Sequence, residues 1–157
     1  MAASAEQQRG RAGLRQSEQK WSPALMDAGY SMIPNVIIEH QRALGLDAVD
    51  INILLHLIRY WWTADNLPHP SKRTIAECMR LDMSTIRRHI AAMEKRGLIQ
   101  RVTRFDKTSG QKSNRYDFSG LIRAAQPLAK EALELKERRR EEDAKRRIRR
   151  PRVVAID

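Results

Sequence analysis

The side chains best suited to bind something charged fall along one short stretch. In Ser84-Thr85-Ile86-Arg87-Arg88-His89-Ile90-Ala91-Ala92-Met93-Glu94-Lys95, the apolar residues Ile86, Ile90 and Met93 recur at i, i+4 and i+7, the spacing of one helical stripe. A helix that buries this stripe presents Ser84, Thr85, Arg87, Arg88, Ala91, Ala92 and Lys95 on its other side. These residues are small or basic. Such a face can approach phosphates closely, and its hydroxyl and guanidinium groups can donate to acceptors on base edges. That suits a helix lying in a DNA major groove.

The charge distribution points the same way. The net charge is +11 over 157 residues. Residues 71–115 hold 12 basic and 4 acidic groups, and residues 136–152 hold 10 and 4. The rest of the chain is slightly acidic. Basicity concentrated in two blocks is the footprint of a polyanion binder, more than of a generally solubilising surface.

Other chemistries lack their residues. There is no G-x-x-x-x-G-K-S/T loop, no H-E-x-x-H and no nucleophile elbow, so the sequence predicts no enzyme and no catalytic residue. Cys78 is the single cysteine, which rules out an internal disulfide. Its place on the apolar side of a helix predicts a buried thiol. His40, His56, His69 and His89 are scattered, without zinc-ligand spacing, so neither metal nor cofactor is expected. The N-terminus has no apolar core of a secretory signal. The apolar run Ile51–Trp62 is interrupted by Asn52, His56 and Arg59 and is too short to span a bilayer. A cytoplasmic protein with no membrane contact and no small-molecule ligand is predicted.

The elements that must position the basic helix follow in order. Residues 1–20 lack apolar periodicity and predict a disordered tail. Residues 21–44 read as a segment that docks on the core or meets a second copy, with Pro34 opening a short helix. Residues 47–66 predict a helix capped by Asp47, with Asp50 in its first turn. Ile51, Leu54, Leu55, Ile58 and Trp62 form one apolar face, and Ile53, Leu57 and Trp61 extend it to a second, so the helix needs cover on both sides. Both Trp61 and Trp62 are expected in the core. Leu67-Pro68-His69-Pro70 ends the helix.

Ser71 then caps a helix over Lys72–Arg80, with Ile75, Ala76 and Met79 on its apolar side. Leu81-Asp82-Met83 reads as the turn, and Ser84 as the cap of the basic helix, Thr85–Arg96. Gly97 follows as the left-handed stop. Leu98–Arg104 and Ser113–Phe118 read as strands joined through the turn residues of Asp106–Lys112, with Tyr116 and Phe118 facing one way. Pro127 is expected to open a long charged helix reaching Arg147. Leu121, Leu128 and Leu135 fall seven apart, a seam that could pair two chains or pack on the core. Lys136–Arg150 reads as a basic tail and Pro151 as its stop.

The run PSKRTIAECMRLDMSTIRRHIAAMEKRGLIQR, followed by a hairpin and SNRYDF, resembles a winged helix-turn-helix domain over about Leu46–Leu121. It is similar to the units of bacterial and phage regulators and of replication-associated proteins. The resemblance implies a mainly α fold with a small β-hairpin wing and a long C-terminal helix. The corresponding division is a tail (1–20), a docking or dimer-contact segment (21–44), the winged domain (45–120), a C-terminal helix with basic tail (121–150) and a short end (151–157).

The same resemblance implies that Thr85–Arg96 is the recognition helix, with Ser84, Thr85, Arg87, Arg88 and Lys95 at bases or nearby phosphates. Arg87 and Arg88 remain equal candidates for reading a guanine. Ser71, Lys72, Arg73 and Thr74 would hold a phosphate. On the wing, Arg104, Lys107, Lys112 and Arg115 would meet the backbone or minor groove, although Arg101, Arg104 and Arg115 could equally be solvated. The function so implied is a sequence-specific regulator of transcription that binds double-stranded DNA as a homodimer. The alternative is a plasmid or phage replication-initiation or partition protein bound to repeated origin sites.

Overall fold

A computed structural model of the chain describes residues 13, 16–108 and 110–149. The chain divides into two units, Met1–Ile33 and Pro34–Asp157. In the first, residues 16–21 are helical where the sequence predicts a tail without order. A short helix α1 (Pro23–Asp27) follows, with Leu25 N–H donating to the Ser22 hydroxyl. Residues 151–157, read as a short tail, lie outside the described residues.

The second unit contains α2 (Asn35–Glu39), α3 (Ala48–Ile58), α4 (Lys72–Met79), α5 (Met83–Lys95), strands β1 (Gln100–Asp106) and β2 (Gly110–Asp117), and α6 (Ser119–Arg149). The core is built by α5 packing on α3 and α4, while α6 packs on α2. Ile53, Leu54 and Leu57 of α3, Ile75 of α4, and Ile86, Ile90 and Met93 of α5 are buried almost completely. Each such side chain contributes about 2 kcal/mol, so the three on α5 outweigh any surface ion pair that α5 makes. Trp61 packs on Phe118, ring centroids 5.1 Å apart and planes tilted by 39°, and joins the segment after α3 to the link between β2 and α6.

Several expectations shift. Helix α3 ends at Ile58, well before residue 66. Its buried side is 53/54/57, while Leu55 is 37 % exposed and Trp62 71 % exposed, so Trp62 is not a core residue. Cys78 is exposed rather than buried. Helix α5 starts a residue before Ser84: Asp82 takes the extended cap conformation without a side-chain cap bond, and Ser84 becomes its second helical residue. Pro127 lies inside α6, which begins eight residues earlier at Ser119. There Asp117 Oδ1 accepts from the Ser119 amide at 2.7 Å, a side-chain acceptor at the helix start doing what Pro127 was expected to do.

Candidate nucleic-acid interface

Both helices of the central pair end in the same way. In α4 the Leu81 amide reaches the Ala76 carbonyl at 3.0 Å and the Arg80 amide the Glu77 carbonyl at 3.3 Å. In α5 the corresponding bonds run from Leu98 to Met93, 3.0 Å, and from Gly97 to Glu94, 2.9 Å. This six-to-one and five-to-two pattern requires a left-handed residue at the stop. Gly97 (φ 71°) and Arg80 (φ 52°) are those residues. The first stop sets the tight turn into α5, and the second directs the chain into the hairpin.

Helix α5 buries Ile86, Ile90 and Met93 and leaves Ser84, Arg87, Arg88, Ala91, Ala92 and Lys95 exposed, with Thr85 half-buried. Among the described residues, Ser84, Arg87, Arg88 and Lys95 make no side-chain hydrogen bond or ion pair. Arg96 and Arg101, by contrast, are engaged. Arg96 Nη2 donates to Asp50 Oδ2 at 3.0 Å, and its Nε to the Ala92 carbonyl at 3.1 Å. Arg101 forks onto the Glu94 carboxylate through Nε, at 2.8 Å to Oε2, and through Nη2. Its amide adds a third bond, 3.0 Å to Oε1. The wing root is thereby tied to the end of α5, and Arg101 is not simply solvated.

At the start of α4, the Ser71 hydroxyl accepts from the Thr74 amide at 3.0 Å and lies 2.8 Å from the Thr74 hydroxyl. Both hydroxyls are occupied in capping. Lys72 and Arg73 remain as the cations of this corner. Burial lowers the Lys72 pKa, and the Arg101 and Arg87 guanidinium groups lower it further, against a smaller opposing pull from Glu94. Lys72 therefore sits in a field of its own sign, which a bound anion would relieve.

A cleft of about 250 Å³ opens beside it, lined by Ser71, Lys72 and Arg73, by Met83 at the head of α5, and by Lys112–Asn114 of β2. The hairpin is shaped to reach this cleft. Val102 pairs with Arg115 and Arg104 with Lys112, so β2 carries one more residue than β1 between these pairs. Such a bulge bends the strand and re-aims its side chains. Below it, the Tyr116 amide donates to the Pro68 carbonyl at 2.9 Å, which fixes the hairpin to the loop before α4. On the rest of the wing, Lys107, Lys112 and Arg115 are exposed and Arg104 is half-exposed.

Sequence reasoning missed the group that holds α5 in place. Asp50 is 2 % exposed. It closes a capping box with Asp47: the Asp50 amide donates to Asp47 Oδ1 at 2.8 Å, and the Asp47 amide to Asp50 Oδ2 at 3.2 Å. His89 Nδ1 lies 2.8 Å from Asp50 Oδ1 and 3.8 Å from Asp47 Oδ1. Only the D-x-x-D spacing at 47–50 hinted at the box, and nothing local hinted at His89 or Arg96. One atom each of Asp47, Asp50 and His89 falls within 4.8 Å of the others. Both Asp50 oxygens are already occupied and Arg96 brings its own positive charge, so the trio is a hydrogen-bonded cluster tied in by the Arg96–Asp50 ion pair.

Residues 44–99 match a family model described as "Helix-turn-helix domain". Among solved structures, the chain is similar to a possible transcriptional regulator from Methanosarcina mazei Go1, at 19 % identity over 69 % of this chain and 85 % of that one, with a TM-score of 0.41. It is also similar to the transcriptional regulator PA3341, at 15 % identity over 94 % and 96 % of the two chains, with a TM-score of 0.36. Both superpose loosely. No curated protein matches the sequence. No helix among the described residues is long and apolar enough to cross a membrane. Residues 44–99 are a helix-turn-helix domain, and the hairpin Gln100–Asp117 that follows makes it a winged one.

Proposed function

We propose that this protein is a transcriptional regulator that binds double-stranded DNA sequence-specifically, with α5 in the major groove and the wing on the neighbouring backbone or minor groove. One observation carries the reading. Arg87 and Arg88 stand exposed and unpaired on the outer face of α5, while Arg96 and Arg101, on the same cationic stretch, are held by carboxylates. Two guanidinium groups left without partners on a helix otherwise lined by small residues are available to guanine edges or phosphates. Lys72, Arg73 and the wing cations supply the sequence-independent grip.

A single recognition helix contacts only a few base pairs, so two copies on a repeated or palindromic site would supply the specificity. Of the seam Leu121, Leu128 and Leu135, Leu121 is buried in the domain, and Leu135, 42 % exposed on α6, is the position open to a second copy. Light scattering tests that point, and a monomer at high concentration removes it.

The DNA reading is tested by selecting bound sequences from a random duplex pool and repeating the selection with Arg87→Ala/Arg88→Ala. The wild-type chain is expected to enrich a defined motif and the variant to lose it. Enrichment of the same motif by both would overturn the reading. Mapping bound sites to promoters or to origins of replication separates transcription from replication.

A further inference from the structure

Phe105 is 80 % exposed near the end of β1. Its backbone pairs with Gln111, one step before the Asp106–Gly110 pair that closes the ladder. No ring contact within the domain involves it among the described residues. Arg104 precedes it, Lys107 follows two residues later, and Lys112 and Arg115 lie on the paired strand. An aromatic ring alone at the end of a hairpin contributes nothing to the core. The cations carried by both strands of the hairpin also disfavour an ordinary apolar protein partner, which would have to desolvate them to cover this wing.

One kind of partner satisfies both the charges and the ring. A nucleic-acid duplex is anionic on its outside, and its base-pair steps present flat, stackable faces behind the phosphates. The minor groove is about 6 Å wide, too narrow for a two-stranded ribbon, whose strands are about 4.8 Å apart before side chains are added. A ring standing out from the ribbon's face close to its tip can enter the groove if a step opens around it. Opening a step in this way kinks the duplex towards the major groove.

We propose that Phe105 is an apolar wedge: the wing places its ring in the minor groove, where it partly unstacks a base-pair step and bends the DNA while Lys107 and Arg104 hold the flanking phosphates. This rests on the DNA-binding reading above and adds to it a deformation of the target. Recognition would then depend on how easily the sequence under the wing kinks, at positions no side chain reads directly.

The test uses the full chain and a 40-base-pair duplex that carries the motif enriched in the selection above, with a donor and an acceptor dye at its ends. The wild-type chain is expected to shorten the end-to-end distance on binding. Phe105→Ala should lose the bend and weaken binding about tenfold, with the dependence of affinity on salt unchanged, while Phe105→Trp should retain both. Lys107→Ala should bend normally and lower the salt slope by about one. Wild-type binding without a bend overturns the wedge and leaves the DNA-binding reading intact, as does a Phe105→Ala variant that bends and binds normally. A loss confined to a single-stranded oligonucleotide of the same sequence also overturns it. No binding of the duplex by the wild-type chain overturns both.

Discussion

His89 Nδ1 donates to the buried carboxylate of Asp50 across 2.8 Å, and so fastens α5 to α3 behind it. Arg96, seven residues further on at the C-terminal cap of α5, grips the other oxygen of the same carboxylate. Two points two turns apart on one face of α5 are therefore held by one residue of α3, which fixes the axial position of α5 as well as its rotation. The apolar stripe Ile86, Ile90 and Met93 supplies most of the stabilisation. The cluster decides which way Arg87 and Arg88 point.

Replacing Asp50 should therefore affect more than stability. In Asp50→Ala, His89 and Arg96 lose their shared acceptor and the capping box opens. Removing one partner from a buried ion pair costs about 3 kcal/mol, here reduced by the partial exposure of Arg96. Urea denaturation is expected to show a loss of about 2–3 kcal/mol. Among molecules that remain folded, DNA affinity should fall further than Ala91→Ser lowers it. A loss below about 0.5 kcal/mol would mean that the cluster does not fasten α5.

Three backbone positions should respond with different signs. A Cβ at Gly97 meets nothing within 4 Å, so Gly97→Ala pays only for its left-handed φ, about 1–2 kcal/mol. A Cβ at Gly120 would lie 1.9 Å from the Gly97 carbonyl oxygen. Gly120→Ala must therefore push α6 away from Leu98, whose carbonyl accepts the Leu121 amide at 2.7 Å. Its cost should exceed that of Gly97→Ala even though Gly120 is helical. Arg80→Gly removes a left-handed non-glycine and should stabilise the protein by up to about 1 kcal/mol. Thermal melting of the three variants checks the order.

The Glu94–Arg101 pair gives a pH signature. The Arg101 hydrogen bonds lower the Glu94 pKa, against a smaller opposing effect of burial. A carboxyl whose folded pKa lies below its unfolded value stabilises the protein above the unfolded pKa, and that stability is lost as the pH falls through the folded one. Glu94→Gln should therefore cost about 1 kcal/mol at neutral pH. Its difference from wild type should shrink as the pH drops below the usual glutamate range. A difference that stays constant into strong acid would contradict the assignment.

Reading and gripping should be separable by salt. Arg87→Ala/Arg88→Ala should lower discrimination between a preferred and a scrambled duplex by about 1–3 kcal/mol for each base-pair reading lost. Changing Arg138, Arg139 and Arg140 to Gln should leave discrimination intact. Affinity would instead become less salt-dependent, by about 0.9 in the log–log slope for each phosphate contact removed. Anisotropy titrations from low to moderate salt measure both quantities. The two effects exchanged would place sequence reading in the C-terminal helix.

The parts legible in the sequence were those decided by neighbours along the chain. Asp47 and Ser71 as caps, Gly97 as a stop, the 86/90/93 stripe and the shared side of Tyr116 and Phe118 all follow from patterns within a few residues. In the sequence Asp50 shows only as a first-turn charge, because its partners are 39 and 46 residues away. Arg80 was invisible as a stop because nothing marks an arginine for a left-handed conformation. Trp61 and Trp62 are adjacent and equally apolar, and only the position of Phe118 decides that one is packed and the other exposed. Proline is favoured at helix starts, so the sequence alone places Pro127 at one.

Pro127 has a dynamic consequence. It has no N–H for the Arg123 carbonyl, so one rung of the α6 ladder is missing at a fixed place. Before it, Leu121 and Ala125 are buried in the domain; after it, no described residue of α6 is fully buried. The helix is thus two cooperative units joined at a weak link. Its basic half can melt and re-form on its own, with amides exchanging far sooner than those of residues 119–125, while the domain that carries α5 stays folded.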